Sequence, residues 1–240
     1  MDENDIINEI KQFGLSSYEI CKDFDGYAES SEYYAWWFFP ELIEYHQKIR
    51  QKSSIEKSIN ISIIINCAIV IEGFLYELTK QIIGVKIPDG TLEDRLHDEL
   101  NRRLDKSSWN ELVHLYKIST NSNLNELTDN ENWKSITILF LFRNMLTHSK
   151  PVKFFINVID GTPKMKHFEK YEIIYNFLIE KKLTKEVDFI KSMNTELINS
   201  AVADFFWKES KIFIKNIINS NNSFKHLPVY DDIENIQLFK

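Results

Sequence analysis

This chain is poor in the residues that punctuate a fold. Its 240 residues include 6 glycines and 5 prolines, so few positions suit the tight turns on which sandwiches and barrels depend. It has 2 cysteines, Cys21 and Cys67, too few for a disulfide framework. Cys67 lies in an apolar run and reads as a small core residue, and a reducing compartment is expected. Positive charge is also short: 29 Lys and Arg against 36 Asp and Glu give a net charge of -7. A generic nucleic-acid binder carries a basic surplus. Contact with RNA would therefore need local positive charge, around Lys150, Lys153, Lys164 and Lys166. The start, MDENDIINEI, lacks the cationic and apolar regions of a secretory signal. The most apolar run, ISIIINCAIVI at 61–71, is too short to span a bilayer and is broken by Ser62 and Asn66. The expectation is a soluble, cytoplasmic protein with no membrane contact.

What the chain has is helical periodicity. Ile64, Ala68, Ile71, Leu75, Leu78 and Ile82 fall at alternating steps of four and three, and Ile63, Cys67, Val70 and Phe74 widen the same face. Ser53 and Glu56 have capping-box spacing ahead of this stretch, and Gly84 closes it. Thr91 with Asp94, and Ser108 with Glu111, repeat the capping signal before helices at 92–104 and about 109–118. Residues 119–132, rich in Asn, Ser and Asp, read as a loop. Further helices are expected over 41–52, over 168–183, and from Thr195 to about Ile218. The last carries an apolar stripe of Ile198, Val202, Phe205, Phe206, Phe213 and Ile217. The aromatic burst YYAWWFF at 33–39 reads as an N-terminal segment packed on the core. Asp160-Gly161 is a turn signal for a small hairpin, 153–159 with 163–167. The fold class is all-α, a helical bundle with a possible β-hairpin insertion. Three regions are expected: an extension over 1–52 packed on the core, a helical domain over 53–219, and a C-terminal tail over 220–240, Asn/Ser-rich from Asn219 and read as an appendage.

The stretch Trp133 to Pro151, WKSITILFLFRNMLTHSKP, is apolar nearly all round and so reads as the central, buried helix. Pro151 stops it. A polar cluster sits at its exit: Arg143, Asn144, Thr147 and His148. An Arg and a His at a helix end can simply satisfy carbonyls and the helix dipole. Here the Asn, the apolar helix and the Pro stop favour a site. Histidine exchanges protons near neutral pH, with an unperturbed pKa of about 6.5. Arginine stays charged and can hold two phosphate oxygens. RNA supplies its own nucleophile, the 2′-hydroxyl. Asn144 lies four residues before His148, on one helix face, where it can orient the imidazole. Thr147 suits a bond to its own helix backbone. Glu72 interrupts the other long apolar helix, either as a rim charge or as a partner holding Arg143. Arg143 and His148 point ~140° apart on a regular helix. Either the helix unwinds by His148 or two copies of the motif combine.

Arg143-Asn144-Met145-Leu146-Thr147-His148, an R-N-x3-H motif at the end of a core helix, resembles the HEPN superfamily. Many members of that family are metal-independent RNases. The context is similar too: an earlier apolar helix carrying an acidic residue, a Trp before the motif helix and a further helix after it. The resemblance spans roughly Ser53 to Asn219. It implies catalysis by Arg143, Asn144 and His148, with Glu72, Thr147 and Lys150 as supporting or phosphate-contacting groups. It also implies a symmetric homodimer with a composite cleft acting on RNA, and a toxin or phage-defence role with a cognate antitoxin or defence partner. HEPN toxins paired with nucleotidyltransferase antitoxins often carry a Tyr two residues after the His. That position is Lys150 here, so neutralisation by modifying such a Tyr is not implied. A non-catalytic module binding a nucleotide or protein is the other class the features allow. No cofactor or metal is expected. There is no glycine-rich phosphate loop, and His46, His97, His114, His167 and His226 form no metal-ligand spacing.

Overall fold

The computed structural model describes Trp36 and residues 38–50, 55–84, 92–147, 155–159, 162–166, 169–185, 197–236 and 238–239. All belong to the compact unit formed by residues 34–240; residues 1–33, which include Cys21, lie outside the described residues. The helices run α1 (Phe38–Arg50), α2 (Glu56–Ile83), α3 (Leu92–Leu104), α4 (Trp109–Thr120), α5 (Leu124–Leu127) and α6 (Asn130–Thr147). A hairpin follows, β1 (Phe155–Ile159) with β2 (Thr162–Lys166). Then come α7 (Glu169–Glu180), α8 (Ser200–Ser220), a 3-10 turn (Asn222–His226) and α9 (Pro228–Asn235). The all-α class holds, with the hairpin antiparallel and paired from Phe155↔Lys166 to Ile159↔Thr162.

The hub of the bundle is α2. It packs against α1, α3, α4, α6, α8 and α9. Its predicted stripe is fully buried from Ile63 to Leu78, with Cys67 and Phe74 inside it and Ile82 half-buried at its end. Burial also pushes the Cys67 thiol well above its ordinary pKa, which fits an inert core residue. By length and composition α2 could cross a membrane, yet most of its apolar window is covered by the other helices, as in the core helix of a soluble protein.

The expectation that the motif helix is the central, all-round buried one needs correction. One side of α6 is closed by Ser135, Ile136, Leu139 and Phe142, while Lys134, Thr137 and Asn144 face solvent. The polar positions find their own partners: Lys134 reaches Glu180 at 2.9 Å, and the Thr137 hydroxyl donates to the Trp133 carbonyl at 2.9 Å.

Element ends show which signals the chain uses. Asn199 caps α8, its side chain accepting from the Val202 amide at 3.0 Å, so this helix starts five residues after Thr195. Ser108 occupies the cap position of α4 but makes no side-chain capping bond. Its expected partner, Glu111, instead accepts from Arg103 of α3 at 2.9 Å, a charge-assisted bond that outcompetes a backbone amide. The cap position of α2 holds Ile55; Ser53 and Thr91 lie outside the described residues. The Asn-rich loop is shorter than expected: it contains α5, and Asp129 opens α6 early by accepting from the Asn132 amide at 2.7 Å. Asn132 is itself buried and donates to the Glu209 carbonyl at 3.0 Å.

Both flanks join the core. Trp36 is buried edge-on against Phe74 with ring centroids 6.0 Å apart. The approach requires Gly73, where an added Cβ would lie 2.1 Å from the Trp36 Cβ. Trp36 and α1 thus pack with the helical domain. Pro40 sits in the first turn of α1, where a proline is tolerated. The 220–240 tail is not an appendage either. Phe224, Val229, Ile233 and Leu238 are buried, and the Val229 amide donates to Gln81 of α2 at 3.1 Å.

Candidate functional site

The site is built where α6 ends beside the middle of α2. Phe140, one turn before Arg143, stacks on Trp109 at the start of α4, with centroids 3.8 Å apart and planes 9° from parallel. The Arg143 guanidinium lies over the Phe140 ring, 5.6 Å from its centroid, where the aromatic quadrupole favours a cation. Arg143 Nη2 donates to Glu72 of α2 in a direct ion pair. Arg143 Nη1 donates to Asn144 Oδ1 at 3.1 Å. The Thr147 hydroxyl donates to the Arg143 carbonyl at 2.9 Å, closing the last turn on itself.

The Glu72 carboxyl is held above the usual carboxylate range because burial disfavours its charge; the Arg143 cation opposes that shift. The pair is not sealed. Arg143 and Glu72 keep 23% and 26% of their side-chain surface accessible, and both line a cavity of about 620 Å³. Its lining also includes Asp105, Ser108 and Trp109, from the end of α3 and the start of α4, and Tyr76 of α2. The Tyr76 hydroxyl donates to Asp105 Oδ1 at 2.7 Å.

Of the residues singled out from sequence, the fold brings together Glu72, Arg143, Asn144 and Thr147. Glu72, ambiguous from sequence alone, holds Arg143. Asn144, expected to orient His148, spends its oxygen on Arg143. His148 and Lys150 lie outside the described residues, as does Lys153; Lys164 and Lys166 fall on β2. Sequence reasoning missed Tyr76, Asp105 and Trp109. Tyr76 had a signal, the four-residue step that places it on the Glu72 face of α2. Asp105 and Trp109 had none, since only the α3–α4 turn brings them to α6. Among the described residues, no group of three or more His, Cys, Asp or Glu side chains is arranged to hold a metal ion. Comparison with family models, curated proteins and solved structures finds no match for this chain.

Proposed function

We propose that this chain is a HEPN-type, metal-independent endoribonuclease, cytoplasmic and dimeric, serving as a toxin or phage-defence effector. The observation that carries the reading is Arg143: a cation fixed by Glu72, Asn144 and the Phe140 ring, yet open to a large cavity. In this reading the guanidinium binds the scissile phosphate and stabilises charge as the phosphorane forms. His148 takes the proton from the 2′-hydroxyl, whose oxygen attacks phosphorus. The bond from phosphorus to the 5′-oxygen breaks, and that oxygen gains a proton. The products are a 2′,3′-cyclic phosphate and a 5′-hydroxyl end. A twofold dimer, the commonest assembly of identical chains, would let two motifs share one cleft. Incubation of RNA with the purified chain in EDTA tests the proposal. Wild type yields cyclic-phosphate ends and His148→Ala does not; cleavage that needs added metal, or that survives the substitution, overturns it.

One observation favours a second reading. The Arg143 charge is already matched by Glu72, as it would be in a module that binds a nucleotide or a protein through the cleft without cleaving. Such a module retains ligand binding with no RNA turnover, and a defence-complex subunit or antitoxin would also co-purify with its partner.

A further inference from the structure

The cavity beside Arg143 is lined by two chemically different groups. One is a cation, Arg143, paired with Glu72 and with Asn144 beside it. The other is an acceptor, the exposed Asp105 carboxylate, braced by the Tyr76 hydroxyl at 2.7 Å. Trp109 and Leu112 supply apolar wall. A volume of about 620 Å³ falls within the range of small-molecule sites, roughly 300–1,000 Å³. A ligand matching both groups carries an anion and, elsewhere, hydrogen-bond donors, as a nucleotide does. A carboxylate only accepts. Guanine alone among the four bases presents two adjacent donors, its ring N1–H and its N2 amino group. Adenine and cytosine place a ring acceptor beside their amino group, and uracil flanks its one N–H with two carbonyls. Both arrangements set a lone pair against Asp105.

We infer that this cavity is a guanine-preferring nucleotide subsite, in which Arg143 takes the phosphate and Asp105 reads the Watson–Crick edge of the base. The inference rests on the nucleic-acid reading of the same cleft and names its base preference. Tyr76 is a positioning residue: its hydroxyl holds the Asp105 carboxylate.

Equilibrium binding of GMP, AMP, CMP and UMP to the full chain, followed by calorimetry, tests this without requiring cleavage. GMP binds about tenfold or more tightly than the other three. Asp105→Asn removes that preference. Asp105 is exposed, and asparagine can still accept from Tyr76, so the variant folds; circular dichroism checks it. Arg143→Ala weakens all four ligands alike. Equal affinity for the four nucleotides in wild type, no binding of any of them, or a guanine preference that survives Asp105→Asn overturns the inference. Guanine-selective binding with no RNA cleavage leaves the subsite standing and sinks the ribonuclease. Cleavage of RNA with nucleotide binding indifferent to base does the reverse.

Discussion

Two glutamates five residues apart on α2, Glu72 and Glu77, have opposite surroundings. They point about 140° apart around the helix. Glu72 faces a cavity, keeps a quarter of its side-chain surface accessible and holds the Arg143 cation. Glu77 is sealed at 3% exposure. It accepts from the Trp36 indole and from Gln81 Nε2, and the charge of Asp232 on α9 raises its pKa further. Burial is the largest cause of the raised pKa in both. The partners differ: a cation opposes the shift at Glu72, whereas a second carboxylate adds to it at Glu77. One side chain orients a group that ligands can reach; the other staples the two ends of the unit to the hub. The same residue type in the same helix thus borders an open cavity or ties the bundle together according to the face it occupies.

The largest effects are expected on the open face. Arg143→Ala should lower RNA cleavage by about 10²–10³, and His148→Ala by about 10²–10⁴, measured as initial rates with EDTA present. The melting temperature of Arg143→Ala should stay within a few degrees of wild type, since the Trp109–Phe140 stack remains packed. Loss of folding in this variant would move Arg143 to the architectural side.

On the sealed face the effect should appear in stability. Glu77→Ala leaves the Trp36 indole N–H and the Gln81 amide without their acceptor inside the bundle. Each stranded donor costs about 1–3 kcal/mol. A drop of about 3 kcal/mol, read as a lower urea midpoint, is the expected outcome, with the cleavage rate per folded molecule unchanged. A stable but inactive Glu77→Ala protein would erase the contrast between the two glutamates.

These two positions also show how far the sequence could be read. The α2 stripe was legible because a regular period of apolar residues has one low-energy solution, burial of that face. The polar exit of the motif helix was legible because Arg143, Asn144 and Thr147 lie close together in sequence, and Asn144 and Thr147 are exposed there. One failure came from a competing partner elsewhere in the chain: Glu111 looked like a capping-box residue and pairs instead with Arg103. The motif helix looked central because its mean apolarity is high, but the hub is the helix with more neighbours. The tail looked like an appendage because Asn and Ser dominate its start, although Val229, Ile233 and Leu238 bury a face of their own.

The Glu77–Asp232 pair makes a pH test of the same contrast. Glu77 is raised to about 7, first by burial and then by Asp232, so the folded chain holds a proton that the unfolded chain releases near the ordinary carboxylate value. Protonation therefore favours the fold, and that stability is lost as pH rises from the usual carboxylate range through about 7. Glu77→Gln stays neutral and keeps an acceptor for Trp36. It should be more stable than wild type by about 1–2 kcal/mol at pH 8, with the gap closing towards pH 5. A gap that does not vary with pH would show that Glu77 does not titrate in this range.

The smallest effect on stability is expected from Glu72→Gln. The lost ion pair is partly solvated, and exposed pairs contribute about 0.2–1 kcal/mol. Removing a carboxylate that burial disfavours offsets part of that loss, so thermal unfolding should change by less than about 1 kcal/mol at pH 7. Cleavage should nevertheless fall several-fold, because an amide aims the guanidinium less firmly than a carboxylate does. The two readouts separate the faces of α2 more finely than the arginine variant can. If Glu72→Gln lowered stability as much as Glu77→Ala, the Arg143 ion pair would be a strut of the bundle, and the cavity beside it would lose its claim to be a site.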